Sequence, residues 1–432
     1  MSTLAPPAPA PAPVKQPPSP NSQGGPGLRL KRIVLAELGS RGVLRPTFSL
    51  LRRHAPVVKL GARVVVSRHA DVVEVLTRDA DFTISEVNGP PIDRINGPFI
   101  LNMDRGATYD RDHAALRSVA RREDVDRIRD IARGAAERLV DAARPGGRIE
   151  AVQGLTRAVA AETVAAYFGF PGPDRATQQR WLRNLFQDAF ANPADDPFVR
   201  QAAIRSAAEL KTWVLGEIAR RRAEGVEGAE DVLGRMIALH GPERPWADDD
   251  WVRRNIAGQV VGAIETTSRF AILAIDELLR RQEEMGGAQA AARAGDMDLV
   301  RQYAWEAVRF NPHTPIMARF CPRGAVIAAG TTREKRIEPK STVILGTLSA
   351  MFDAEAFPEP DRFRTDRPIG KYLHFGWGLH QCFGLYANMV QIPEIVAALL
   401  RLPDLRRAPG ADGRVVHDGP FPDRLVLEFD TA

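Results

Sequence analysis

Cys382 lies in the run Phe375-Gly376-Trp377-Gly378-Leu379-His380-Gln381-Cys382-Phe383-Gly384, a glycine-punctuated loop that leads into a helical stretch over residues 385–400. At the start of a helix, the dipole and the unpaired backbone N–H groups favour a thiolate, and a thiolate is a metal ligand. One cysteine cannot build a structural zinc site, and no His or Asp triad marks it as a protease nucleophile. A single axial bond to a metal is the economical assignment. The other cysteine, Cys321, precedes a proline outside any such pattern.

A second constellation is Glu306-Ala307-Val308-Arg309 with Pro360-Asp361-Arg362-Phe363. The i, i+3 spacing puts Glu306 and Arg309 on one helix face, able to pair with each other and with Arg362. Taken alone, Glu-x-x-Arg is a common surface pair.

Phe-Gly-x-Gly-x-His-x-Cys-x-Gly is the haem-binding signature of the cytochrome P450 family, and the chain resembles that family from about residue 45 onward. The resemblance implies haem b (iron protoporphyrin IX) with Cys382 as the iron ligand, framed by Phe375, Gly376, His380 and Gly384. It implies a buried triad of Glu306, Arg309 and Arg362 supporting the cysteine loop. His113 and Arg117, at i, i+4 on one helix face, with Arg319 and His380, match the donors for the two haem propionates; carboxylates held inside a protein need such partners. Tyr372 and His374 lie near a further donor position. Gly262-Ala263-Ile264-Glu265-Thr266-Thr267 is similar to the family's Ala-Gly-x-Asp/Glu-Thr segment, with the two small residues exchanged. Thr266 can bond the carbonyl of Gly262 four residues back and loosen the helix into a groove for dioxygen and water, with Glu265 as proton relay.

The chain departs from the pattern at Met351-Phe352-Asp353, where Asn-Arg-Asp is frequent, and at Gln381 and Phe383, where Phe and Leu are usual. Residues 372–375 and 419–422 are also similar to the P450-like halves of fungal fatty-acid dioxygenase fusions, which rearrange hydroperoxides. The resemblance therefore implies a monooxygenase acting with O2 on a hydrophobic small-molecule substrate. The alternatives are a peroxide-driven peroxygenase or hydroperoxide isomerase, and a non-catalytic haem sensor. No flavin or iron–sulfur module is read in the chain, so electrons are expected from a separate ferredoxin or flavodoxin and its NAD(P)H reductase. Arg121 and Arg122 are candidates to dock that donor. Val261, Ala263, Ile316, Met317 and Phe421 are expected to wall the substrate pocket, with the loop over residues 89–101 and the 186–198 region.

The elements that must position these groups are mostly helical. At 432 residues, 44% hydrophobic and 26% charged, the chain fits one large domain rich in helix formers. The expected fold is mainly α with small β-sheets, P450-like, with one long helix over residues 248–281 crossing the haem. A hairpin is expected over 57–66 around Gly61, a helix over 71–76, a long mobile loop over 85–101, and helices from 112 to 224 broken near 171–173 and 192–197. A helix over 298–310 should stop at Asn311-Pro312, and 342–345 reads as strand. Residues 1–27 hold nine prolines and are expected to be a disordered tail preceding the haem domain of residues 28–432. Fifty-nine basic and fifty-four acidic residues, net +5 without a like-charge run, argue against nucleic acid. No run suits a signal peptide or membrane span, so a cytoplasmic monomer off the membrane is expected.

Overall fold

The computed structural model describes residues 17–431. A short 3-10 turn, Pro20–Ser22, precedes α1 (Pro26–Leu38) and α2 (Arg41–His54). The valine-rich runs around Gly61 form the expected hairpin of β1 (Val57–Leu60) and β2 (Arg63–Val66), with Gly61 at φ +62°. Then come α3 (His69–Thr77), α4 (Ser85–Ile95), α5 (Ala107–Val119) and α6 (Val125–Ala143). β3 (Arg148–Glu150) and a π turn, Val152–Thr156, lead into α7 (Arg157–Phe168), α8 (Arg175–Phe190) and α9 (Pro197–Glu224). The breaks between α7 and α8 and between α8 and α9 fall at the expected prolines, whereas those at residues 120–124 and 144–156, the second holding β3, lie outside the expected ones.

Aspartates set the starts of the following helices, as side-chain acceptors for otherwise orphaned N–H groups. Asp174 caps α8, Asp196 caps α9 ahead of Pro197, and Asp231 caps α10 (Val232–Ala238). Asp248 caps α11 (Asp249–Val261). The next helix, α12 (Glu265–Leu278), begins only after a gap. After α13 (Gln282–Ala294), Asp296 caps α14 (Met297–Phe310), which ends at Asn311-Pro312 as expected.

The C-terminal part supplies β4 (Met317–Cys321), β5 (Ala325–Ile327), β6 (Lys335–Ile337), β7 (Ser341–Leu345), α15 (Thr347–Ala350) and α16 (Leu385–Leu400). It closes with β8 (Arg406–Arg407), β9 (Val416–Asp418), β10 (Phe421–Arg424) and β11 (Val426–Glu428). The largest sheet runs β1-β2-β7-β4, with β2 and β7 parallel (Val64 opposite Val343) and β4 antiparallel to β7. One core gathers α6, α12, α14 and α16 with this sheet; the other gathers α8, α10 and α11 around Trp181, Trp251 and Ile256. α16 is apolar on nearly every side because it is buried between elements of the first core. No helix among the described residues is long and apolar enough to cross a membrane.

Three expectations need correction. Residues 85–95 form helix α4 rather than loop, although Pro90 and Pro91 withhold two N–H groups from it. Tertiary bonds replace them: Asp104 accepts from the N–H groups of Ile84 and Ser85 at 2.7 and 3.2 Å, and Arg94 pairs with Asp188 at 2.9 Å. The long central helix is two helices, interrupted at Gly262–Ile264.

The third concerns the tail. Residues 1–16 lie outside the described residues, but residues 17–27 are not a detached tail. Ser19 Oγ and Asn21 Nδ2 donate to Asp418 on β9 at 2.7 and 3.0 Å, and Asn21 exchanges bonds with Gln187 on α8. Arg32 donates to the carbonyls of Asn21 and Gln23 at 2.7 and 2.6 Å and pairs with Asp196 at 2.7 Å. Polar bonds order this strap without an apolar pattern, which is why composition alone misses it. Arg32→Ala is expected to lower stability by about 1–2 kcal/mol in thermal unfolding; an unchanged midpoint would show that the strap contributes nothing.

Candidate functional site

The cysteine loop is built from close backbone approaches. Gly376 and Gly378 adopt φ +69° and +70°, and a Cβ on Gly378 would lie 2.3 Å from the carbonyl oxygen of Leu76. Only glycine fits there. The N–H of Cys382 donates to the carbonyl of Phe375 at 2.8 Å, closing the loop just before α16. Phe375 stacks on Phe270 of α12, with ring centres 5.7 Å apart, and lies against Trp305 of α14. Burial pushes the Cys382 thiol up, against the smaller opposing pull of the Gly384 N–H and Arg117. The helix start is thus insufficient by itself to ionise the sulfur; binding to a metal ion removes the proton outright. Cys321 is fully buried in β4 and is not part of this loop.

Under the loop lies Glu306, with no exposed surface. Arg309 donates to both carboxylate oxygens at 2.7 and 2.8 Å, as expected from their spacing. The third cation is Arg367, whose Nε lies 3.2 Å from Glu306, and not Arg362. The Arg362 side chain is 73% exposed and pairs with Glu359; only its backbone carbonyl joins the cluster, accepting from Arg309 at 3.1 Å and from Arg367 at 3.2 Å. The run that carries the motif turns outward at residue 362, so the arginine five residues later reaches the carboxylate. Tyr372 is likewise reassigned: its hydroxyl donates to Glu306 at 2.8 Å, so it braces the cluster and is not free for a cofactor. His374 is buried, with Nε2 2.9 Å from the Trp305 carbonyl oxygen, and burial pushes its pKa down to about 3.

The four proposed propionate donors fall into one neighbourhood. His113 stacks on Tyr109 and meets Phe383 edge-on. Arg117 lies 3.7 Å above the Phe383 ring and donates to its carbonyl at 3.0 Å. His380 packs against Tyr109, and burial followed by the charge of Arg319 pushes its pKa down to about 4. Arg319 is 6% exposed and among the described residues donates only to the neighbouring Ala318 carbonyl; burial pushes its pKa down to about 10. Among the described residues neither Arg117 nor Arg319 makes an ion pair, and His380 Nδ1 is buried without a partner. Two guanidiniums and an orphaned imidazole beside the cysteine loop fit a group carrying two carboxylates. The donor set therefore suits haem.

Across from the loop is the gap between α11 and α12. Thr266 Oγ donates to the carbonyl of Gly262 in a short bond, as its position predicts. Thr267 bonds Asn388 of α16 at 3.0 Å and Ser268 bonds Thr156 of the π turn at 2.7 Å, so the start of α12 is tied to the cysteine helix. Glu265 is not free, as a relay reading assumed. Its Oε2 lies 3.0 Å from Arg157, both side chains 2% exposed, while Oε1 is buried without a partner among the described residues. Arg157 also donates to the Pro422 carbonyl at 3.0 Å and lies 3.6 Å from Asp423. Sequence reasoning missed Arg157, Arg367 and Asn388, which sit in no motif. Of the expected pocket residues, Val261 lines an apolar crevice with Ile92, Phe99 and Leu185; Phe421 is buried beside Phe186; and Ala263, Ile316 and Met317 keep accessible surface.

The cluster generates a test. Arg367→Leu is expected to cost about 3–5 kcal/mol and Tyr372→Phe about 1–3 kcal/mol, because each leaves Glu306 short of a buried partner. Arg362→Ala should stay within about 0.5 kcal/mol. Thermal unfolding and haem retention measure all three; equal effects at 362 and 367 would sink the reassignment.

Comparison with known proteins agrees with this geometry. The family model for cytochrome P450 matches residues 274–414. Cytochrome P450 monooxygenase PikC of Streptomyces venezuelae is 30% identical over 308 residues, covering 68% of this chain and 67% of that protein. Psi-producing oxygenase A of Emericella nidulans is 39% identical over 121 residues, but this spans only 27% of this chain and 11% of that protein. The crystal structure of CalO2 superposes with a TM-score of 0.78 at 24% identity, covering 91% of this chain and 98% of that one. With the cysteine loop, the buried glutamate cluster and the interrupted helix in their places, the chain belongs to the cytochrome P450 family.

Proposed function

We propose that this cytochrome P450 monooxygenase places one atom of dioxygen in an apolar or amphipathic small molecule and releases the other as water. The balance takes two electrons and two protons per turnover, and the electrons come from a separate ferredoxin or flavodoxin with its NAD(P)H reductase. The observation that supports this reading best is Thr266 bonded to Gly262 across the gap between α11 and α12, with the start of α12 tied to the cysteine helix through Thr267 and Asn388. Haem b, held by Cys382 and by His113, Arg117, Arg319 and His380 at its carboxylates, would supply dioxygen binding and activation.

The residues of the chain manage protons and shape. While Thr266 donates to Gly262, its oxygen can accept a bond from water in the chamber; swinging off that carbonyl turns the hydroxyl into a donor. Arg157 holds Glu265 Oε2, which leaves the buried Oε1, without a partner among the described residues, as the oxygen through which a relay would run. The apolar side chains of Val261, Ala263, Ile316, Met317 and Phe421 favour an apolar body. Arg121 and Arg122 are exposed, and Arg122 lies 4.7 Å from the Tyr386 ring on the cysteine helix. That position suits docking of an acidic electron donor.

Two measurements follow. Thr266→Ala should retain haem and consume NADPH, with product per NADPH falling and hydrogen peroxide rising; lost proton-transfer groups cost about 10² to 10⁴ in rate. A hydroperoxide isomerase would be little affected and a sensor would form no product, so an unchanged ratio rejects the relay. Reversing charge at both Arg121 and Arg122 should slow reduction by an acidic ferredoxin at low salt, with the difference fading as salt rises. Equal rates at low salt place the docking face elsewhere.

A further inference from the structure

The interior arginines near the cysteine loop and the helix gap fall into two groups. Arg309 and Arg367 share Glu306, and Arg157 pairs with Glu265. Arg117, Arg319 and Arg269 make no ion pair among the described residues. The first two stand with His113 and His380 and suit the two carboxylates of haem. Arg269 does not belong to that group. It lies on α12 one turn beyond Thr266, and its charge is felt by His313, three residues past α14, and by His417 on β9.

Arg269 makes no side-chain hydrogen bond among the described residues. It is strongly desolvated, and burial alone pushes its pKa down to about 10, yet it keeps partial accessibility. The same partial accessibility is shared by Gly262, Ala263 and Thr266 on the preceding turn and by Met317, while Ile316 is 38% exposed. The nearby acid Asp276, two turns further along α12, is taken by Arg280 at 2.9 Å and Arg407 at 2.7 Å. Arg269 is thus a half-buried cation one turn from Thr266 with no partner among the described residues, an arrangement that costs stability unless a ligand brings the opposite charge.

We infer that Arg269 is a specificity-determining residue of the substrate chamber, and that the substrate carries a carboxylate on an otherwise apolar body. The inference rests on the proposed reading for the location of the chamber. A planar guanidinium offers a carboxylate two parallel N–H bonds, and the apolar walls receive the remainder of the molecule.

The test uses ferric holoenzyme titrated with straight-chain carboxylates of graded length, their methyl esters and the corresponding alcohols. Binding is followed by the haem spin-state shift, with calorimetry where no shift occurs. At least one carboxylate should bind wild type about tenfold more tightly than its ester, equivalent to one charge-assisted contact. Arg269→Met should abolish that preference, leave ester binding unchanged, and retain haem with an equal or higher melting midpoint; Arg269→Lys should keep part of the preference. The inference is overturned if no carboxylate outbinds its ester in wild type, or if Arg269→Met keeps the preference. It is also overturned if Arg269→Met loses haem or stability, which would assign Arg269 to the cofactor or the core. Titration needs neither electron donor nor turnover, so failure of the monooxygenase reading leaves this result standing, and the reverse also holds.

Discussion

The fully buried carboxylate of Glu306 constrains more of this structure than any other single group. An isolated ion at such a site costs several kcal/mol, so the fold must bring enough donors to it. Arg309 comes from the same helix, but Arg367, Tyr372 and the backbone N–H of Arg364 all come from the irregular segment ahead of the cysteine loop. Satisfying the carboxylate therefore pins that segment to α14. Phe375 follows three residues after Tyr372 and stacks on Phe270, and Cys382 closes its loop onto the Phe375 carbonyl. The position of the sulfur is a consequence of an electrostatic requirement met about ten residues earlier.

The facing half of the site depends on a different competition. At Gly262–Ile264 the helix ladder gives way: Gly262 has no Cβ to pack, and the Thr266 hydroxyl takes its carbonyl. An interruption of this kind persists only when its flanks are held. Thr267 is held by Asn388 of the cysteine helix, Ser268 by Thr156, and Glu265 by Arg157. The gap and the cysteine are consequently registered to each other through side chains on α12 and α16, and the Glu265 carboxylate is steered toward the β10 hairpin and away from free solvent.

Charge is unevenly resolved around this chamber. Where the chain needs rigidity, cations and carboxylates are matched, as at Glu306 and Glu265. Elsewhere cations are left without an ion pair among the described residues: Arg117 and Arg319 beside the loop, Arg269 beyond the gap. Local choices that weaken the fold are expected at functional positions, where a bound group restores the balance. The N-terminal strap adds a further polar link, since Asn21 joins α8 to the same β9–β10 hairpin that Arg157 touches.

The residues that announce chemistry by short-range spacing were legible in the chain: Cys382 in its glycine loop, Glu306 and Arg309 one turn apart, and Thr266 four residues after Gly262. Each of these relations is set within one or two turns of backbone, where geometry depends on local sequence alone. The same locality misled elsewhere. Proline content argued for a loop at residues 85–101 and for a detached segment up to residue 27, but both are ordered by partners more than 10 residues away in the chain, Asp104 and Asp188 in one case, Asp418 and Gln187 in the other. A motif likewise suggested Arg362 for Glu306, whereas the path of the chain delivered Arg367 and Tyr372. The sequence by itself determined which local groups could bind a metal, pair or cap. The tertiary structure alone decided which distant groups meet them, because pairing a buried charge depends on how the folded backbone returns and not on distance along it.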